Sequence, residues 1–186
     1  MLNTKSCAPL YFGCDTGQLF HQPGTRFVHI RAALPEEAEL LGELACTSKA
    51  WWGYPSPQVE LWREELSPTP ASIASQPTCI AEVDGVAAGF YQLYLGDSDR
   101  GELKNLWVLP AYMRQGIGAA LLAHAAARAG RGKITSLTIN ADPNAEPFYL
   151  SQGAIRVGSV PSPIPGEPGR ILPQMLLGLT IFAETS

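Results

Sequence analysis

Residues 113–122 read MRQGIGAALL, with Arg114 and Gln115 ahead of Gly116 and Gly118, and small and leucine residues behind. ELKNLWVL at 102–109 has the composition of a strand, so the glycines stand between a strand and a helix. Such a turn gathers unpaired backbone N–H groups at one point, and the helix dipole adds roughly half a positive charge there. Residues without Cβ let an anion approach that backbone, and Arg114 can add a charge-assisted bond to a phosphate oxygen. The chemistry is that of a diphosphate cradle. A P-loop would need GxxxxGK followed by Ser or Thr, which is absent. A dinucleotide site would want GxGxxG in the first βαβ unit; here Leu121 holds the sixth position, and a meander precedes it. A helix that begins on glycines for packing alone is the remaining alternative.

The elements that must position this turn can be read on both sides of it. RFVHIRAA (26–33) alternates as a strand, and PEEAELLGELACTS follows with Pro35 at a helix start and acids in the first turn. PQVELWREEL (57–66) suits a second helix, and SPTPASIASQP is expected to be a Pro/Ser loop. TCIAEV (78–83) and VAAGFYQLYL (86–95) flank Asp84-Gly85, a hairpin signal, and 102–109 is the third strand of that meander. The glycine-led helix runs to about Ala129, and KITSLTIN (133–140) returns as a strand. ADPNAEPFYLSQG reads as a short helix with Asp142 as N-cap and Pro143 at the first helical position. AIRVGSV (154–160) and ILPQMLLGLTIF (171–182) close the chain as strands around the proline-dense loop PSPIPGEPGR. The expected fold class is α+β (mixed α/β): a central, mostly antiparallel sheet of six or seven strands with about four helices. Residues 1–25 lack a period and are expected to be a loosely structured leader, with 26–186 expected to make a single domain.

The totals narrow the partners. The chain has 186 residues, 46% hydrophobic and 16% charged, with a formal net charge of -4, so no basic field invites nucleic acid or an anionic membrane. No apolar stretch approaches the length that spans a bilayer, and no secretory leader is visible, so the expected location is cytoplasmic. Cys7, Cys14, Cys46 and Cys79 show no CxxC spacing and no accompanying His pair, which argues against a metal site; Cys46 and Cys79 read as core residues. His29 and His124 read as structural. The acidic balance hints at cationic partners.

Two motifs together give a resemblance. NLWVLPAYMRQGIGAALLAHA (105–125) is similar to the central motif of the GNAT-type N-acetyltransferase superfamily: a strand ending in Val-x-Pro, a pyrophosphate loop, then a helix. ADPNAEPFYLSQGA (141–154) resembles the segment that completes that family's CoA site, and the likeness covers about residues 27 to 182. The departures are Met113 where Arg or Gln is usual, Asp142 where Asn is frequent, and Ala154 where an aromatic is frequent. SKAWWGY (48–54), ADPNAEPFY and PGRILP (168–173) also resemble a bacterial subgroup of small acetyltransferases with mostly unassigned substrates.

The resemblance implies acetyl-CoA as co-substrate, no metal, and transfer of the acetyl group to a primary amine, on a small molecule or a peptide, by direct attack. A non-catalytic CoA-binding regulatory module on the same fold is the alternative. It implies that strand 102–109 splays from strand 133–140, with CoA in the gap. Leu106, Trp107, Val108 and Leu109 would then line the thioester, with an amide of Val108 or Leu109 facing its oxygen. Arg114, Gln115, Gly116, Ile117, Gly118 and Ala119 would hold the pyrophosphate, and Asp142, Asn144 and Phe148 would complete the cofactor site. Tyr149, seven positions after Asp142, is the implied general acid. Glu102 is a candidate base acting through water, or a surface acid; strand alternation puts it with Lys104, opposite Leu103, Asn105 and Trp107. For the acceptor, Trp51, Trp52 and Tyr54 form an aromatic cluster, with at least one of the tryptophans expected to point inward. Arg170 is a candidate partner for an acceptor carboxylate or an ordinary loop ion pair. The apolar final strand could serve a homodimer.

Overall fold

A computed structural model describes residues 18–20 and 28–179. Its sheet has eight strands: β1 (Gln18–Phe20), β2 (Val28–Ala32), β3 (Thr78–Val83), β4 (Val86–Tyr94), β5 (Arg100–Val108), β6 (Ser136–Asn140), β7 (Ile155–Pro161) and β8 (Ile171–Gly178). They lie in the order β1-β2-β3-β4-β5-β6-β8-β7. All neighbours are antiparallel except β5 and β6, which run parallel and are joined by a helix. The fold is the mostly antiparallel α+β architecture expected. β1, inside the stretch expected to be a loose leader, pairs with β2. Cys7 and Cys14 lie outside the described residues.

The helices are α1 (Ala38–Ala50), α2 (Ser56–Leu66), α3 (Pro70–Ser75), α4 (Ile117–Gly130) and α5 (Glu146–Ser151). A 3-10 turn at Pro35–Glu37 leads into α1, and the Glu37 carboxylate there accepts the Leu34 amide at 2.8 Å. α3 stands where a loop was expected. The Pro/Ser composition that suggested a loop is instead a helix start: Thr69 and Ser72 cap each other reciprocally at 3.0 Å, with Pro70 in the first turn.

Two apolar layers sandwich the sheet. α4 contributes Ile117, Leu121, Leu122 and Ala125 to one, against Tyr91, Leu103, Leu137 and Met175. α1 contributes Leu41, Leu44 and Ala45 to the other, against Ile80 and Phe90, with Ile73 of α3. The hairpin turn has Asp84 at φ 53° and Gly85 at φ 77°, the left-handed pair that a two-residue turn requires.

One irregularity changes which residues share a face. Between Gln92↔Asn105 and Leu93↔Leu103 the register shifts, leaving Lys104 as an extra residue in β5. A Cβ at Gly101 would meet Leu137 and Ile134, so Gly101 and Leu103 face α4, and Glu102 faces the other way. Beyond the bulge Trp107 packs in the α1 layer and donates to Asn105 Oδ1 at 2.9 Å. The simple alternation expected from sequence is therefore wrong here. Glu102 shares its face with Asn105 and Trp107.

Candidate functional site

β5 and β6 pair only through Arg100–Glu102 and Ser136–Thr138. Both strands continue without pairing each other, to Val108 and Asn140, so the sheet opens into a split. One wall is a strand edge. The Leu109 amide donates to Ala88 O at 2.8 Å, and the Trp107 carbonyl is turned toward Gly89. In an antiparallel ladder the peptide groups alternate, so those of Leu106 and Val108 point into the split. Of the four residues expected to line the thioester, Trp107 and Leu109 thus spend their peptides on β4.

The mouth of the split holds the glycine turn. Arg114 sits at φ 58° and Gly116 at φ 81°, and both are exposed. Left-handed residues within a run of amides fold the backbone into a concave nest, and Gly116 is the N-cap of α4 with no side chain capping it. The first-turn amides of the fourteen-residue α4 are therefore free to meet an anion. A Cβ at Gly116 would meet nothing within 4 Å, so the space before the loop is open. Gly118 lies 3.5 Å from the Phe148 ring by the same measure, so a side chain there would fill the crevice between loop and ring. Gln115 folds back to Ala111 O at 2.8 Å, and Ile117 is buried as the anchor of the turn. These features suit a diphosphate held mainly by backbone.

Tyr149 on α5 is buried at 6% exposure, edge-on to Phe148 with ring centroids 5.1 Å apart. Among the described residues its hydroxyl has no hydrogen-bond partner. Burial, and then the charge of Asp142, push its pKa up, so it stays a neutral proton donor at neutral pH.

The other side of the split is a buried cluster of charge. Lys49, in the last turn of α1, donates to Asp142 Oδ2 at 2.5 Å, and Tyr54 donates to the same oxygen at 3.0 Å. Arg170 reaches Asp142 at 3.5 Å, the Tyr54 hydroxyl at 3.2 Å and Ser162 Oγ at 2.6 Å. The Lys49 ammonium lies 4.7, 4.6 and 5.9 Å from the ring centroids of Tyr54, Trp62 and Trp107. Burial lowers the Lys49 pKa, with the Arg170 charge adding to it against the pull of Asp142. Burial alone would raise the Asp142 carboxyl, but the charge and hydrogen bond of Lys49 outweigh it and hold it below the usual range.

This cluster corrects several expectations. Asp142 caps the 3-10 turn before α5, accepting from Asn144 N at 2.9 Å and Nδ2 at 3.0 Å, as its N-cap position foretold. Both carboxylate oxygens thereby accept hydrogen bonds inside the protein. Arg170 is 7% exposed and fixed to three partners, so it is no ordinary loop ion pair. Trp51 and Trp52 are both exposed, at 63% and 37%, and neither points inward. Gly53 at φ 86° turns the chain after them, and Tyr54 is the member of that segment which enters the cluster. His124 bonds the Tyr91 hydroxyl at 2.8 Å, and His29 contacts Glu82 at 3.5 Å; both sit in the framework. Cys46 and Cys79 are buried and form no disulfide among the described residues. Lys49 and Trp62 went unnoticed in the sequence. Yet Leu41, Leu44, Ala45, Ser48 and Lys49 follow helical spacing, so a lysine on the apolar stripe of α1 was a visible signal.

A sheet split beside an anion-ready helix start is the architecture of acyl-CoA-dependent transferases. The chain belongs to the GNAT acetyltransferase family, whose description, "Acetyltransferase (GNAT) family", matches residues 39–154, more than half of it. Solved structures agree. A GCN5-related N-acetyltransferase from Rhodopseudomonas palustris is 26% identical over 84% of this chain and 97% of its own, with a TM-score of 0.66. PaiA N-acetyltransferase from Thermoplasma acidophilum, solved with coenzyme A, is 22% identical over 81% and 98%, with a TM-score of 0.63. The ribosomal-protein-S18-alanine N-acetyltransferase of Escherichia coli is 19% identical over 86% and 98%, also at 0.63. The last two likenesses speak to fold alone. Comparison with the curated proteins finds no match.

Proposed function

We propose that this protein is an N-acetyltransferase that moves the acetyl group of acetyl-CoA to a primary amine by direct attack. The observation that supports the proposal is the split between β5 and β6 with the uncapped start of α4 at its mouth; in this reading the Val108 amide, the nest ahead of α4 and the Tyr149 hydroxyl are the three donors. A thioester is already activated, so orientation against a neutral amine is the main task. In this reading the amides of Arg114 to Ala119 hold the diphosphate, with Arg114 free to add its guanidinium. Met113 spends its own amide on Pro110 O at 3.2 Å, so the loss of Arg or Gln at that position removes only a side-chain contact.

The Val108 amide then stabilises the negative charge that develops on the thioester oxygen, an effect worth roughly 2.7–4 kcal/mol per donor. The next peptide along is held as well, because Ser48 Oγ donates to Val108 O at 3.0 Å. The amine nitrogen forms its bond to the carbonyl carbon, the carbon–sulfur bond breaks, and Tyr149 gives its proton to the departing sulfur. Burial raises a thiol as it raises a phenol, so the transfer stays balanced between the two. The proton lost from the amine leaves through water, and Tyr149 regains a proton from water once the thiol has departed. Glu102, half-buried on the acceptor face of β5, is the candidate to begin the relay from the amine.

Thiol release from acetyl-CoA, followed across a broad amine panel, tests the proposal. Turnover with at least one amine is expected. Tight CoA binding with no thiol release for any amine would instead favour a CoA-binding regulatory module.

A further inference from the structure

The acceptor side of the split holds more positive charge than its own acid balances. The side chains of Lys49, Arg170 and Asp142 are 7%, 3% and 5% exposed, so two cations share one carboxylate out of water. Tyr54 brings a neutral hydroxyl whose ionisation burial opposes, and Glu65, the other carboxylate acting on Lys49, is exposed. An uncompensated buried cation is strongly unfavourable, and a well-placed anion relieves it.

The two cations differ in what they can still offer. Arg170 has spent its guanidinium on Ser162, Tyr54 and Asp142. The Lys49 ammonium has three N–H donors, and among the described residues Asp142 is its sole hydrogen-bond acceptor. The rest of it faces the rings of Tyr54, Trp62 and Trp107, which attract a cation without supplying a lone pair.

Its place in the fold matters as much as its charge. Lys49 leaves the last turn of α1, passes the end of β5 at Trp107 and meets Asp142 just after β6, so it crosses the open end of the split. Its neighbour Ser48 is bonded to Val108, whose amide faces the same split. We propose that Lys49, braced by Arg170, docks a carboxylate of the acceptor, which makes the acceptor a small amino carboxylate. Its amine lies beside Val108 while its acid group meets the ammonium, and Tyr54 and Trp62 form apolar walls on either side. The same ammonium disfavours a protonated acceptor amine, and so favours the neutral form that attacks.

This inference rests on the acetyl-transfer reading, and the test separates the two. The wild-type protein is assayed with paired acceptors: free amino acids, ω-amino acids, their methyl esters, and the amines left by decarboxylation. The free acid of a pair is expected to be preferred roughly ten- to a hundredfold in kcat/KM, the range of a charged hydrogen bond. Lys49→Met, which matches the stem in length, should collapse that preference through KM, and Lys49→Arg should retain most of it. As a readout independent of turnover and of variant folding, CoA-saturated wild-type protein is melted with simple carboxylates that lack an amine. A rise in Tm with the acids, and none with the matched amides, is expected. Equal turnover of acids and esters, or no Tm response to any acid, overturns the proposal. Absence of thiol release with every amine, alongside an acid-dependent rise in Tm, would sink the transferase reading and leave the carboxylate site standing.

Discussion

The two sides of the β5–β6 split are built from different material. The side assigned to CoA is made of backbone: a turn with two left-handed residues, the open amides of α4, and a strand edge. The side assigned to the acceptor is made of side chains: two cations, one carboxylate and three aromatic rings, drawn from α1, α2, β5 and the segments around residues 54, 142 and 170. A backbone site tolerates change of side chain and fails on change of shape. A site of buried charge does the reverse, because its members hold one another ionised.

The sharpest break between the two should come from Asp142→Asn. That substitution keeps the N-cap oxygen for Asn144 and removes the charge shared by Lys49 and Arg170, leaving two cations buried together. A loss of about 3–5 kcal/mol is expected in chemical denaturation, the usual cost of stripping a buried ion of its partner. The pH dependence should change with it. Because the folded Asp142 carboxyl lies below its ordinary value of 3.8, its contribution is complete above that pH and is lost as pH falls further. Glu37, lowered first by its hydrogen bond with Arg31, acts in the same direction at the far end of α1. The Asp142→Asn protein should therefore lose less stability on acidification than the wild type, and Glu37→Gln should flatten the remaining slope. A variant as stable as the wild type would mean that the cluster is hydrated and not a buried charge device.

Tyr149→Phe probes the point where the two sides meet. A positioned general acid contributes typically a hundredfold or more, so kcat should fall by roughly that factor. Stability should not fall with it. The hydroxyl has no partner among the described residues and is not among the side-chain atoms shut off from water, so removing it forfeits no hydrogen bond to a described residue. Unchanged kcat, or a drop in Tm that matches the drop in kcat, would reassign Tyr149 to packing.

The contrast also explains what could be read from sequence. On the side assigned to CoA the glycine turn was legible, because its glycines and the strand-to-helix change lie in one contiguous stretch, here 113–119. The Asp84-Gly85 hairpin was legible for the same local reason. The acceptor side was not, since residues 49, 54, 62, 142 and 170 meet only through the fold. Tyr54 and Arg170 were noticed singly, with no hint that one carboxylate joins them. Trp51 and Trp52, expected as aromatics that could enclose an acceptor, face solvent, and Tyr54 just beyond the turn at Gly53 is the one that enters the cluster. Periodicity failed at Lys104 for a related reason: an inserted residue in one strand is invisible until its partner strand is known, and it moved Glu102 to the face of Trp107. α3 was missed because Pro and Ser favour loops on average and helix starts in particular.

The smallest effect should be the most telling about the backbone side. Gly118 has no left-handed φ, and a Cβ there would stand 3.5 Å from Phe148 and 3.8 Å from Val108 Cγ2, ordinary contact distances. Within the first turn of α4, Ala is also the better helix former, by up to about 1 kcal/mol. Gly118→Ala should therefore leave the protein as stable as before, or slightly more so. The added methyl nevertheless occupies the crevice through which a diphosphate would reach the amides, so CoA affinity measured by calorimetry should fall several-fold. Gly116→Ala is the control, since its cost comes from φ 81° with open space around it: stability should drop by about 1 kcal/mol. If Gly118→Ala bound CoA as tightly as the wild type, the diphosphate would not lie against that helix start, and the division of the split into a backbone side and a side-chain side would lose its first half.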